Sequence, residues 1–181
     1  MSNWKTLAKR MILDHSRFLA VEEHTVALPT GEVIPDWSWV VTPDFVNVLP
    51  VTREGQCICL RQTKYGLNGL SLALAGGYIE NDESPLSTAQ RELREETGYE
   101  ATDWLPLGTY RVDPNRGVAL GHLFMARDAL FVGQQVSDDL EEQEILFLSP
   151  TQLQQALHQG QFQTFPWALL VSLALPHLFP T

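Results

Sequence analysis

Apolar positions along this chain mostly alternate with polar ones or run together in short blocks, and helical spacing is confined to three stretches. FLAVEEHTVAL (18–28) and EVIPDWSWVV (32–41) are extended runs joined by Pro29-Thr30-Gly31, so they predict a hairpin from Phe18 to Val41. Val46–Pro50 and Gln56–Gln62 predict two strands about the turn Arg53-Glu54-Gly55, and Leu70–Ala75 leads into Gly76-Gly77. Leu105–Val112 and Val118–Ala126 read as strands around the loop 113–117, and Ile145–Leu148 as a short last strand. Ser149-Pro150 opens a helix whose polar face carries Gln152, Gln154 and Gln155, and a final helix runs over 166–175. Strands dominate, with one helix set among them and two at the end. The class is α+β, with a strand region over 1–44 ahead of a domain over 45–181.

The middle helix can be delimited from its punctuation. Ser84 suits the N-cap, Pro85 the first helical position and Gly98 the residue past the end, which predicts a helix from Pro85 to Thr97. At 100° per residue Leu86, Ala89 and Leu93 fall on one stripe, expected to face the core. Glu92, Glu95 and Glu96 form a second stripe, three and four positions apart, and Arg94 points elsewhere. Like charges at this spacing cost roughly 0.2–0.5 kcal/mol per pair, so a helix shaped by stability alone would not choose them. A hard divalent cation such as Mg²⁺, which takes carboxylates, waters and phosphate oxygens, would reverse that cost. A solvated acidic face is the competing reading of three glutamates taken in isolation.

Composition narrows the field. The chain has 181 residues, 44% of them hydrophobic, enough to bury a core in one domain of ordinary size. Its formal net charge of −10 disfavours duplex nucleic acid, and a small anionic substrate would need a metal ion to approach. The start, MSNWKTLAKRMILD, lacks the apolar block of a secretory signal, and the apolar run from Trp167 to Leu175 is too short to span a bilayer. A cytoplasmic protein without membrane association is expected. Cys57 and Cys59 alternate with Ile58 in an apolar strand and read as buried structural thiols.

The glutamates belong to a longer pattern. GYIENDESPLSTAQRELREETGY (77–99) resembles the signature of the Nudix hydrolases, G-x5-E-x7-R-E-U-x-E-E-x-G-U, where U is a bulky apolar residue. Gly77, Glu83, Arg91, Glu92, Leu93, Glu95, Glu96 and Gly98 match in register, and Tyr99 stands where an aliphatic residue is usual. Seven fixed identities at ordinary residue frequencies would coincide roughly once in 10⁸ windows. The resemblance implies an α/β/α sandwich with a small N-terminal antiparallel strand region. It also implies hydrolysis of a diphosphate linked to another group.

The rest of the chain is similar to the ADP-ribose pyrophosphatase branch in its N-terminal hairpin, in Leu60-Arg61-Gln62 followed by a basic residue, in Pro114 sixteen positions after Gly98, and in an acidic loop before the last strand. Residue by residue, the resemblance implies metal ligation by Glu92 and Glu96, with Glu95 direct or through water and the Gly76 carbonyl as a backbone ligand. The ion would be Mg²⁺, with Mn²⁺ a substitute. Glu83 would act behind these ligands, held by Arg91. The general base maps to Glu142, with Glu141 and Glu144 as alternatives. Phe18 and Trp37, or Trp39, would stack on the base; Arg61, Lys64 and Pro114 complete the substrate contacts. Lys64 replaces an arginine common in the branch and so lacks its bidentate fork. Ala73-Leu74-Ala75-Gly76-Gly77 replaces a usual E-x-P-A-G. Gly77 and Gly98 are expected for backbone conformation. The branch forms homodimers in which the N-terminal strands help build the partner's site. ADP-ribose is the leading substrate, GDP-mannose or another nucleotide sugar the next, and a non-catalytic nucleotide sensor the reading from another class.

Overall fold

The computed structural model describes residues 3–80, 82–133 and 142–179. Among these the elements are β1 (Lys5–Ser16), β2 (Leu19–Ala27), β3 (Val33–Val41), β4 (Phe45–Thr52), β5 (Cys57–Gln62), β6 (Ser71–Ala73), α1 (Pro85–Thr97), β7 (Tyr99–Glu100), β8 (Asp103–Asp113), β9 (Val118–Phe131), β10 (Gln143–Leu148), α2 (Pro150–His158) and α3 (Phe165–Leu178). They fall into two compact units, one of residues 1–44 with 110–120, the other of 45–109 with 121–181. No helix among the described residues is long and apolar enough to cross a membrane.

The first unit is built on an antiparallel sheet in the order β1-β2-β3. The hairpin read from the sequence is β2 and β3, turning at Pro29-Thr30-Gly31. β1 has no counterpart among the elements expected from the sequence. All twelve of its residues are exposed, so no alternation of buried and solvent positions marked it. What defines it is the antiparallel ladder to β2, from Lys5↔Ala27 to Ser16↔Leu19, interrupted by three register shifts.

The second unit carries the larger sheet, ordered β10-β5-β4-β9-β7, with β6 on β5 and β8 on β9. β4 and β9 are parallel, from Phe45↔Gly121 to Thr52↔Ala129, and the other registered pairs are antiparallel. β4 shows how the layers form. Val46 and Val48 join Ala89 and Leu93 of α1 in one cluster; Leu49 and Val51 join the Cys57 and Cys59 side chains, Leu153 of α2 and Leu170 of α3 in the other. A strand buried on both faces reads as a continuous apolar run, as this one does. The result is an α/β/α sandwich with α1 on one face of the sheet and α2 and α3 on the other. Both cysteines are free and buried; burial alone pushes the Cys57 thiol up to about 12, and burial with the neighbouring Cys57 pushes Cys59 in the same direction.

α1 has the predicted bounds. Ser84 accepts from the Ser87 N–H at 3.1 Å in a capping box, Pro85 occupies the first turn, and the Gly98 N–H donates to the Arg94 carbonyl at 2.8 Å. Gly98 has φ 74°, the left-handed region in which a side chain would be strained. The buried face differs from the expected stripe. Ala89 and Leu93 are buried as expected, but Leu86 is exposed, and Thr88 and Thr97 are buried instead. The two threonines tolerate this because each hydroxyl is bonded. Thr88 Oγ1 donates to Glu83 Oε2 at 2.8 Å, and Thr97 Oγ1 to the Leu93 carbonyl at 2.5 Å. α3 continues through Pro176, one turn beyond the expected end; so close to the terminus the lost N–H removes a single helical bond.

Candidate active site

The site grows from one edge of α1. Arg91 and Glu92 project from one turn and Glu95 from the next, and Gly77, Tyr78 and Glu83 lie against them. Arg91 is the organiser. Its Nε donates to Glu83 Oε1 and its Nη2 to Glu83 Oε2, both at 2.9 Å, which is the bidentate fork of an arginine on a carboxylate. Its Nη1 reaches Glu92 Oε1 at 2.7 Å and Glu95 Oε2 at 3.1 Å, and Nη2 also reaches the Tyr78 carbonyl at 3.3 Å. One guanidinium thus balances three carboxylates and ties the loop to the helix.

Electrostatics follow from this geometry. The bonds from Arg91, helped by the Thr88 hydroxyl and the Glu80 N–H and opposed by burial, hold the Glu83 carboxyl down at about 2. Glu83 is therefore anionic at any ordinary pH. Arg91 is shifted up, first by its bonds to Glu83.

Glu96, one turn on, accepts from the Gly76 N–H at 2.7 Å. The φ of Gly77 is not positive, which corrects the conformational role expected from the sequence; the Glu92 carboxylate lies where a Cβ would sit. The glycine lets the loop lie directly against that glutamate. Gly98 alone has the conformational role expected of both.

The donors Glu92, Glu95 and Glu96 are all carboxylates, and with the Gly76 backbone beside Glu96 they offer the all-oxygen set that suits a hard divalent ion. Arg91 bonds Glu92 and Glu95 and the Gly76 N–H bonds Glu96, and among the described residues no three His, Cys, Asp or Glu side chains converge on one point. The donor chemistry fits such an ion.

Beside Glu96 and Gly76 lies a cavity of about 310 Å³ within the second unit. Lys64 lines it, with Asn47, Gln62, Tyr78, Thr164 and Trp167 among its other walls. Lys64 is expected here from the sequence, whereas Asn47, Gln62, Thr164 and Trp167 are not. One signal was present for Gln62: it shares the strand parity of the buried Ile58 and Leu60, a position where an unpaired polar side chain is unusual.

Other expected contacts lie elsewhere. Arg61, on the opposite face of β5 from Gln62, pairs with Glu144 and lines a separate groove with Gln152 and Gln155. Phe18, Trp37 and Pro114 belong to the first unit. There the Arg17 guanidinium lies 4.6 Å from the Phe18 ring centre; Trp37 donates its indole N–H to the Asn115 carbonyl at 2.8 Å and meets Trp4 edge-on; Pro114 sits in an exposed turn. Trp39 stacks on the buried His24 with ring centres 5.0 Å apart. Glu142 is exposed at the entrance to β10, whereas residues 138–141, including Glu141, lie outside the described residues.

Residues 41–168 match the family model of the NUDIX domain. An ADP-ribose pyrophosphatase of Bacillus subtilis is 30% identical to this chain over 84% of it and 80% of that protein. A CMP-5'-(N-acetyl-N-hydroxy-3-aminopropyl)phosphonate hydrolase of Streptomyces rubellomurinus is 27% identical over 89% of this chain and 77% of that protein. The fold matches the crystal structure of an ADP compounds hydrolase with a TM-score of 0.83 at 19% identity, covering 98% of this chain and 95% of that one.

Proposed function

The chain belongs to the Nudix family and is a hydrolase, and from that premise we propose that it cleaves the diphosphate of a nucleoside diphosphate linked to a second group, with ADP-ribose yielding AMP and ribose 5-phosphate. The observation that carries this reading is the edge of α1, where every carboxylate of the signature is retained beside a cavity, Glu83, Glu92 and Glu95 ordered by Arg91 and Glu96 by the Gly76 N–H. A sensor that binds without turnover would have no need of that full set. The 30% identity to an ADP-ribose pyrophosphatase favours ADP-ribose, and the second named relative, a hydrolase of a CMP-phosphonate, is consistent with a linked group that varies among relatives.

Nudix hydrolases generally use divalent metal ions. Here Glu92, Glu96 and Glu95, with the Gly76 carbonyl, would hold Mg²⁺, or Mn²⁺ in its place. When bound, the ion neutralises phosphate oxygens and stabilises the leaving phosphate. The chain's own residues do the rest. Glu83, fixed by the Arg91 fork, keeps its own stretch of backbone seated against the helix. Lys64 supplies positive charge to the phosphates at the cavity wall. Glu142 takes a proton from the attacking water, since the box carboxylates, engaged by cations, are poor proton acceptors. Glu144 is held by Arg61, which leaves Glu142 the better placed of the two.

The test is a panel of nucleoside diphosphate derivatives with product identification. AMP and ribose 5-phosphate from ADP-ribose, abolished by EDTA and restored by Mg²⁺, is the expected result; preference for GDP-mannose would redirect the substrate, and no turnover of any member would overturn the reading. The chain is further read as a homodimer. Trp4, Leu7, Met11 and Leu13 of the first unit are exposed apolar residues on or beside one strand, an arrangement that a second copy would cover. A monomer by light scattering at micromolar concentration, still fully active, would contradict it.

A further inference from the structure

Among the described residues, the buried Gln62 Oε1 and Thr164 Oγ1 have no hydrogen-bond partner, and both residues line the cavity beside Glu96. Gln62 is only 3% exposed, on a strand face otherwise occupied by Ile58 and Leu60. Thr164 stands at the N-cap of α3, where a threonine hydroxyl normally accepts a backbone N–H, yet it makes no cap bond. An apolar residue at either position would avoid leaving a polar atom unsatisfied, so each needs a reason, and one cavity offers the same reason to both. At roughly 30 Å³ per water the cavity has room for about ten waters or for a ring-sized group.

The chemistry of the two atoms restricts that group. An amide oxygen accepts and cannot donate, so it repels a phosphate and suits a hydroxyl or N–H; a threonine hydroxyl both donates and accepts. Positive charge for phosphate comes instead from Lys64 on the same wall. We propose that Gln62 and Thr164 form a hydroxyl-reading subsite for the neutral, sugar-like group linked through the diphosphate, one hydroxyl donating to Gln62 Oε1 and another bonding Thr164 Oγ1. Indole and phenol rings of Trp167 and Tyr78 give the walls on which such a ring can rest. The inference rests on the hydrolase reading and names what that site selects. A site built to bond hydroxyls discriminates strongly against an analogue lacking them, because its polar groups are then left buried and unpaired.

The experiment compares three compounds, ADP-ribose, the ethyl ester of ADP and IDP-ribose, on the full-length wild type and on Gln62→Met and Thr164→Val. The wild type should favour ADP-ribose over ethyl-ADP by about 10²-fold or more in kcat/KM. Each variant should lose roughly tenfold or more on ADP-ribose while turning over ethyl-ADP within about twofold of wild type. Melting temperatures without ligand should stay level or rise, because an unpaired polar atom has been removed from the interior. Equal losses on all three compounds, or no change on any, would overturn the subsite. Variants that equalise ADP-ribose and IDP-ribose would show that the base, not the sugar, is read. If the wild type hydrolyses none of them, the hydrolase reading fails by itself and calorimetric binding of ADP-ribose decides the subsite: at least tenfold weakening in both variants upholds it, and unchanged affinity or no binding to wild type overturns it.

Discussion

β1 and β4 are both strands rich in apolar residues, and they lie at opposite extremes of burial. All twelve residues of β1 are exposed, whereas seven of the eight in β4 are buried. The second unit closes its own core on both faces of the sheet; at about 1.5–3 kcal/mol for each large apolar side chain fully buried, that core is where stability is concentrated. The first unit orders β1 chiefly through backbone pairing and leaves Leu7, Met11 and Leu13 in solvent. The candidate chemistry is on the unit whose fold is self-sufficient, which suits side chains that must be held within narrow tolerances. The strand left uncovered is the one proposed to meet another copy.

The largest expected effect tests the site side of this contrast. Glu96→Gln retains the shape that accepts the Gly76 N–H and removes a charge from the proposed metal ligands, so kcat should fall by about 10³-fold or more with the circular dichroism spectrum unchanged. Near-wild-type turnover at ordinary Mg²⁺ would sink the assignment. Glu142→Gln should lower kcat by roughly 10²–10⁴-fold with little change in substrate affinity, and Glu144→Gln should do much less, since that carboxylate is occupied by Arg61. If Glu144 proves the sensitive position, the base lies in this segment but in a different register.

Stability sharpens the contrast directly. Leu49→Ala, at a fully buried position of β4, should cost about 2–5 kcal/mol in urea unfolding, whereas Leu7→Ala, at an exposed position of β1, should cost almost nothing at concentrations where the chain is monomeric. A substantial cost for Leu7→Ala that appears only at high protein concentration would place that side chain in the dimer interface. Comparable costs for the two at every concentration would show that β1 and β4 contribute alike to stability.

The smallest effect concerns pH. Glu83 is held down from 4.5 to about 2 in the fold, so its contribution is complete above about 4.5 and is lost as pH falls toward 2. Glu22 of the first unit is shifted the same way, mainly by its bond to His24 at 2.7 Å. The gap in melting temperature between wild type and Glu83→Gln, measured in the absence of metal, should therefore narrow on acidification through this window. A gap that stays constant from pH 5 to pH 2 would show that the Arg91 fork adds no pH-dependent stability.

Much of this protein was legible in the chain because its signals are local. A helix cap acts within about four residues, so Ser84, Pro85 and Gly98 were enough to bound α1, and the spacing of Glu92, Glu95 and Glu96 was enough to set them along one edge. The hairpin of β2 and β3 followed from alternation and a turn sequence in the same way. Tertiary structure decided the rest. β1 has no burial pattern and exists through its ladder to β2; Leu86 yields its place in the core to Thr88 and Thr97 because hydroxyls bonded to Glu83 and to a helix carbonyl can be buried without loss; and Gly77 is fixed by the approach of Glu92, which no local conformational argument contains. The cavity that gathers Gln62 from β5, Glu96 from α1 and Thr164 from the start of α3 depends on sheet register and layer packing. Residues so far apart in sequence meet only when those long-range contacts form, and a pattern read over a few neighbouring positions carries no information about them.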